Sequence, residues 1–187
     1  MNDEAGRNPA ITRRSLLLLG GGCLMAGVLA QPAVAGGRLV HERTLSLEAV
    51  HTGEKWQRVY WAEGRYIPQA LREVHYLLRD HRTDEVKVID VRLLDLLHDM
   101  HSLMDNRTSF EIVSGYRSAA TNKQLQRTNP DVARHSYHTQ GMAIDIRQPG
   151  RDLVKLKAAA LRLNRGGIGS YPQASFLHVD VGPRRRW

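Results

Sequence analysis

The sequence predicts an α+β fold, a single domain built on a small, mostly antiparallel sheet with flanking helices. Three observations lead there. The 187 residues hold no internal repeat, low-complexity tract or long linker, which suits one domain. Two segments of period-2 alternation near the start precede two segments with an apolar stripe at helical spacing. From Ser109 onward, short apolar runs alternate with loops dense in Gly, Ser, His and Arg.

The first residues stand apart from that fold. Arg13-Arg14 is followed at once by an apolar and small run from Leu16 to Ala30, and then by Ala33-Val34-Ala35. This is the order of a secretory signal, and the arginine pair resembles the twin-arginine export signal. At ~1.5 Å per residue the run spans roughly 22 Å, short of the ~30 Å hydrocarbon core, so it is expected to be a cleaved signal rather than a permanent membrane anchor. The expectation is a signal over residues 1–35, cut after Ala35, and a periplasmic domain over 36–187.

Cys23 is the single cysteine and lies inside the signal, behind three glycines rather than the apolar-small box of a lipoprotein signal. The exported domain then has no disulfide and stands on its core, which is feasible at ~150 residues. Without Arg7, Arg13, Arg14, Asp3 and Glu4 it carries 24 basic against 17 acidic residues, a net of +7. A basic surface favours an anionic partner. In the envelope the candidates are peptidoglycan stem peptides, anionic polymers and lipid head groups; nucleic acid belongs to another compartment. Part of the excess sits at Arg184-Arg185-Arg186, which reads equally as a solvated tail. A monomer is expected.

Arg43 to His51 alternates before the turn signal Thr52-Gly53, and Trp56 to Trp61 alternates before Glu63-Gly64, which predicts an N-terminal hairpin. Pro68 suits the first turn of a helix carrying Leu71, Val74, Leu77 and Leu78 on one face. Asp90 is a plausible N-cap for a second helix burying Leu93, Leu94, Leu97 and Met100. Strands are expected at Phe110–Val113, Met142–Ile146 and Phe176–Val181, with a helix from about Asp152 to Leu163 between the last two. Gly166-Gly167-Ile168-Gly169 predicts a tight, side-chain-poor approach to the final strand.

Chemistry concentrates in two of these strands. Asp145 sits in an apolar run between Ile144 and Ile146, and burying a lone carboxylate costs several kcal/mol. In Phe176-Leu177-His178-Val179-Asp180-Val181, alternation puts Phe176, His178 and Asp180 on one face. A metal resolves both oddities: His138, Asp145 and His178 form a three-ligand set for one Zn²⁺ with the fourth position open to water. The spacing alone leaves a hydrogen-bonded core pair as the alternative.

Three further stretches carry a resemblance. Ser114-Gly115-Tyr116-Arg117-Ser118, then S-x-H-x-x-G-x-A-x-D from Ser136 to Asp145, then Gly166-Gly167-Ile168-Gly169-Ser170-Tyr171 and Phe176-Leu177-His178-Val179-Asp180 resemble the peptidase M15-like murein endopeptidases. These belong to the wider group related to zinc D-alanyl-D-alanine carboxypeptidases, and the likeness runs from about Arg43 to Trp187. The resemblance implies a carboxypeptidase/hedgehog-like fold, zinc on His138, Asp145 and His178, and peptidoglycan cross-links as substrate. It implies that Arg117 faces the site, pairing with a substrate carboxylate or polarising the scissile carbonyl, with a structural salt bridge as its plain alternative. Ser114 and Tyr116 are expected to help hold that loop at the substrate, and Ser136 and His135 to stand beside the ligands.

One position departs from the wider pattern. The carboxypeptidase relatives carry an acidic general base three residues before the last histidine ligand, where this chain has Ser175. Asp180 is the expected substitute, with orienting His178 or capping the loop at Gly182 as its alternative role, and His135 stands in reserve. A catalytically silent, zinc-containing envelope-binding module, a carboxypeptidase and a peptidase with a non-murein target are the rival functions.

Overall fold

The computed structural model describes residues 41–104, 108–130 and 132–187. The expected signal, with Cys23 and the cleavage point after Ala35, lies outside the described residues. In chain order the elements are β1 (Glu42–Ala49), β2 (Lys55–Ala62), β3 (Arg65–Tyr66), α1 (Pro68–Leu77), α2 (Val91–Met104), β4 (Phe110–Ser114), α3 (Ala119–Thr128), a 3-10 turn (Tyr137–Gln140), β5 (Ala143–Arg147), α4 (Leu153–Leu163), β6 (Gly167–Tyr171), β7 (Phe176–Asp180) and β8 (Arg185–Arg186). The eight strands form one sheet in the order β3-β2-β1-β4-β5-β7-β6-β8. It is mixed but mostly antiparallel: only β1–β4 and β6–β8 pair in parallel.

The predicted hairpin is β1–β2, with Leu45 opposite Arg58 and Leu47 opposite Trp56. Pro68 occupies the first turn of α1, and Asp90 accepts the Arg92 amide at 2.9 Å at the head of α2. The expected stripe Leu93, Leu94, Leu97 and Met100 is fully buried. In β5 and β7 the alternation divides the faces cleanly. Ile144, Ile146, Leu177 and Val179 enter the core, leaving Asp145, His178 and Asp180 on the opposite side. At ~25 cal/mol per Å², each such aliphatic contributes about 1.5–3 kcal/mol, which anchors the strands that carry the polar residues.

Two features differ from expectation. Helix α3 has a buried surface of Thr121 and Asn122 and lacks an apolar stripe, so periodicity could not announce it. It begins where the Ser118 hydroxyl accepts the Thr121 amide at 3.1 Å. The arginine tail is no solvated appendage either, because Arg185–Arg186 pair with Gly167–Ile168 as β8. Among the described residues no helix is long and apolar enough to cross a membrane.

Candidate metal centre and active site

Strand register brings the site together. Asp145 on β5 lies directly opposite His178 on β7, so their side chains stand side by side on one face. His138 arrives from the 3-10 turn, which Ser136 opens by accepting the His138 amide at 3.3 Å and Gly141 closes in a left-handed conformation. All three side chains are buried, and their ligating atoms lie within 4.8 Å of one another. His178 Nδ1 is 2.9 Å from Asp145 Oδ1, His138 Nε2 is 3.3 Å from the same oxygen, and the two nitrogens are 3.2 Å apart.

What lies behind the imidazoles decides what they can do. His138 Nδ1 donates to the Gly115 carbonyl at 2.8 Å, and His178 Nε2 donates to Asp180 Oδ2 at 3.0 Å. Each ring therefore turns its other nitrogen, with its lone pair, toward Asp145. Two lone pairs and a carboxylate packed together repel unless a cation or proton joins them. A tetrahedral ion with ligands at ~2.0–2.1 Å requires ligand atoms about 3.3–3.4 Å apart. Two of the three separations match closely, and the third is the length of a hydrogen bond. The donor set, its spacing and the hydrogen bonds behind it fit a divalent metal.

The electrostatics agree. Burial would raise the Asp145 carboxyl, but His138 and His178 outweigh it and hold it below the usual range. Burial presses the His178 imidazole down, yet Asp145 and Asp180 more than offset this and raise it. Arg117 stands beside the cluster: Nη2 is 3.7 Å from Asp145 Oδ2 and donates to Ser114 Oγ at 3.3 Å, while Nη1 donates to Asn122 at 3.3 Å. Burial pulls its guanidinium down, partly offset by Asp145.

A cavity of about 400 Å³ opens over these residues. Arg117, His135, Ser136, His138, Asp145 and His178 line it. Ser114 lies off its wall, holding Arg117, and Tyr116 packs against the core with its amide donating to Leu78 O at 2.7 Å. Ser175, in the β6–β7 turn, is also off the wall, with its hydroxyl on Pro172 O. Asp180 is sealed from solvent, its oxygens taken by His178, the Gly167 and Gly182 amides and Arg185. Those contacts set Asp180 behind the His178 ring and against the loop at Gly182.

Sequence reasoning missed the far walls. Leu125 on α3 and Asn129 just past its end close one side, and Tyr171, Phe176, Arg185 and Trp187 close the other. Gly169 carries the one readable hint, since a Cβ there would collide with the Trp187 indole.

Comparison with known proteins gives the same direction. A family model described as peptidoglycan L,D-endopeptidase MepK matches residues 38–187. The chain is 39% identical over 175 residues to peptidoglycan L,D-endopeptidase MepK of Escherichia coli (strain K12), covering 94% of this chain and 96% of that one. It is 36% identical over 176 residues to the probable peptidoglycan L,D-endopeptidase MepK of Haemophilus influenzae, covering 94% and 95%. No solved structure matches the chain. With the matched region spanning every described element and the whole His-Asp-His cluster, the chain belongs to the peptidase M15-like family of murein endopeptidases.

Proposed function

We propose that this chain is a zinc-dependent murein endopeptidase that hydrolyses peptide cross-links of peptidoglycan, at an L,D bond like the one in its relatives' names. The observation that carries the proposal is the convergence of His138 Nε2, His178 Nδ1 and Asp145 Oδ1, each imidazole pinned from behind, on the floor of an open cavity. Two imidazoles and one carboxylate favour Zn²⁺ over the oxygen-preferring ions. Bound there, the ion would supply Lewis acidity toward the scissile carbonyl and acidify water.

The chain's own residues do the rest. Arg117, held by Ser114 and Asn122, presents a fixed guanidinium to a substrate carboxylate or to charge developing on the carbonyl oxygen. Asp180 orients His178, and Ser136 sets the turn that carries His138. His135, exposed and lining the cavity, is our candidate for carrying a proton to the leaving amine. Residues 1–35 direct the domain to the periplasm.

His178→Ala is expected to lose both bound zinc and cleavage of purified cross-linked muropeptides, read by elemental analysis and mass spectrometry. Full activity in that variant refutes the scheme. One observation favours a silent binding module instead: among the described residues no carboxylate but Asp145 lines the cavity. A zinc-loaded protein that yields no product from muropeptides, with or without a chelator, would establish that alternative.

A further inference from the structure

The proposed centre is braced on its far side by the C-terminal strand. Asp180, the acceptor for His178 Nε2–H, meets the Arg185 guanidinium at both oxygens: Nη2 to Oδ2 at 2.6 Å and Nη1 to Oδ1 at 3.3 Å. Arg185 is itself held. It lies over the rings of Tyr137 at 4.8 Å and Trp187 at 5.1 Å, and its Nη1 donates to Pro183 O at 3.2 Å. Space for this fork exists because residue 167 is glycine; a Cβ there would collide with the Asp180 carboxylate and crowd the guanidinium. The Trp187 indole then lies 5.2 Å from the His178 ring, over the side-chain-free Gly169 that pairs with His178.

We propose that Arg185 is a positioning residue for the metal ligand His178, acting through Asp180. The Gly167 and Gly182 amides hold Oδ1 and the His178 N–H meets Oδ2. The planar Arg185 fork adds a charge-assisted bond at each oxygen, so turning the carboxylate about its terminal bond breaks two more bonds at once. The locked carboxylate in turn holds the imidazole with Nδ1 facing Asp145 and His138. The inference rests on the reading of His138, Asp145 and His178 as a metal centre. Arg185 also lines the cavity, so its rival role is direct contact with a substrate carboxylate.

The two roles separate when zinc affinity and kinetics are measured on the same proteins. Zinc affinity is read by competition with a chromophoric chelator, and kcat and KM on cross-linked muropeptides. Arg185→Gln is expected to weaken zinc binding by about ten- to a hundredfold, the usual effect of losing a ligand's outer partner, and to lower kcat with little change in KM. Arg185→Lys, a point charge without the fork, is expected to recover only part of the zinc affinity. Arg186→Gln removes the same charge one residue on, where the contacts are Asn164 and the carbonyls of Gly166 and Arg185, and is expected to bind zinc as the unsubstituted protein does. Unchanged zinc affinity in Arg185→Gln with a raised KM overturns the proposal in favour of substrate contact. Should Arg185→Gln fail to fold, Arg185→Lys decides: zinc affinity equal to that of the unsubstituted protein overturns it. If the unsubstituted protein binds no zinc, the metal centre itself falls, and the role of Arg185 with it.

Discussion

Asp80 lies three residues beyond α1, sealed from solvent and outside the cavity. Its Oδ2 accepts the Ser118 amide at 2.8 Å and its Oδ1 the Arg82 amide at 3.0 Å. Burial alone would raise this carboxyl, but the Thr121 hydroxyl and those two amides bring it down to about 2. Ser118 follows Arg117, so the carboxylate pins the loop that aims the guanidinium. A folded-state value below the unfolded one stabilises above about pH 4, and that contribution is lost as pH falls through about 2. Asp80→Asn keeps the shape but puts a weaker acceptor, or a donor, against buried amides. It is expected to cost roughly 1–3 kcal/mol in urea unfolding and to lower kcat on muropeptides. Wild-type stability and turnover would show that Asp80 does not hold the loop. Nothing in Leu78-Arg79-Asp80-His81 distinguishes this residue from any other loop aspartate: the Arg82 amide is a local turn contact, and the partners that tie it to the Arg117 loop, Ser118 and Thr121, lie 38 residues away or more in sequence.

At the scale of elements, legibility followed the mechanism of burial. The β1–β2 hairpin, α1, α2 and α4 were readable because each hides one regular face against the core. Helix α3 was not, because polar contacts anchor it, Asn122 and Gln126 both donating to Ala133 O. The 3-10 turn was unreadable for a different reason. It is a capped loop four residues long, held by Ser136 at one end and Gly141 at the other. Gly141 sits at φ +70°, where an added Cβ is strained and would also strike the Val88 carbonyl oxygen. Gly141→Ala is therefore expected to cost more than about 1 kcal/mol and to weaken zinc binding, since the turn carries His138. Thermal unfolding with and without zinc checks this. A lower melting temperature with unchanged zinc affinity would detach the turn's stability from its ligand.

For the molecule as a whole, His101 links stability to pH away from the site. It is buried on α2, stacked on Phe110 at 3.9 Å, and its Nε2 has no partner among the described residues. Burial pushes this imidazole down to about 4, against a smaller upward pull from the Thr108 backbone. The unfolded chain takes up a proton near pH 6.5 that the folded state refuses until about pH 4. Stability is thus fully present above about 6.5 and declines as pH falls through that window. Between about pH 7 and about pH 5 the decline from this residue amounts to roughly 2 kcal/mol. His101→Phe, similar in shape and able to keep the stack, is expected to flatten the stability profile over that range. A slope equal to that of the unsubstituted protein would remove His101 as its origin.

The amino-acid sequence by itself determined the fold class and the strands that carry Asp145, His178 and Asp180, while the metal-ligand set His138, Asp145 and His178 was an expectation carried by the family resemblance. These are legible because alternation and helical periodicity are local, and because a carboxylate or imidazole in an apolar run is costly wherever the run folds. Only the tertiary structure decided what each of those groups faces. Asp180 was readable as a polar residue beside His178, and Gly182 and Arg185 lie within five residues of it, but the Gly167 amide reaches it from a separate strand and the turn of the chain that brings the Arg185 fork back onto it is set by pairing with that strand. The cavity walls from α3 and β8 likewise form only when segments remote from one another pack together. A hydrogen bond or ion pair depends on distance in space, and no local pattern of residue types encodes it.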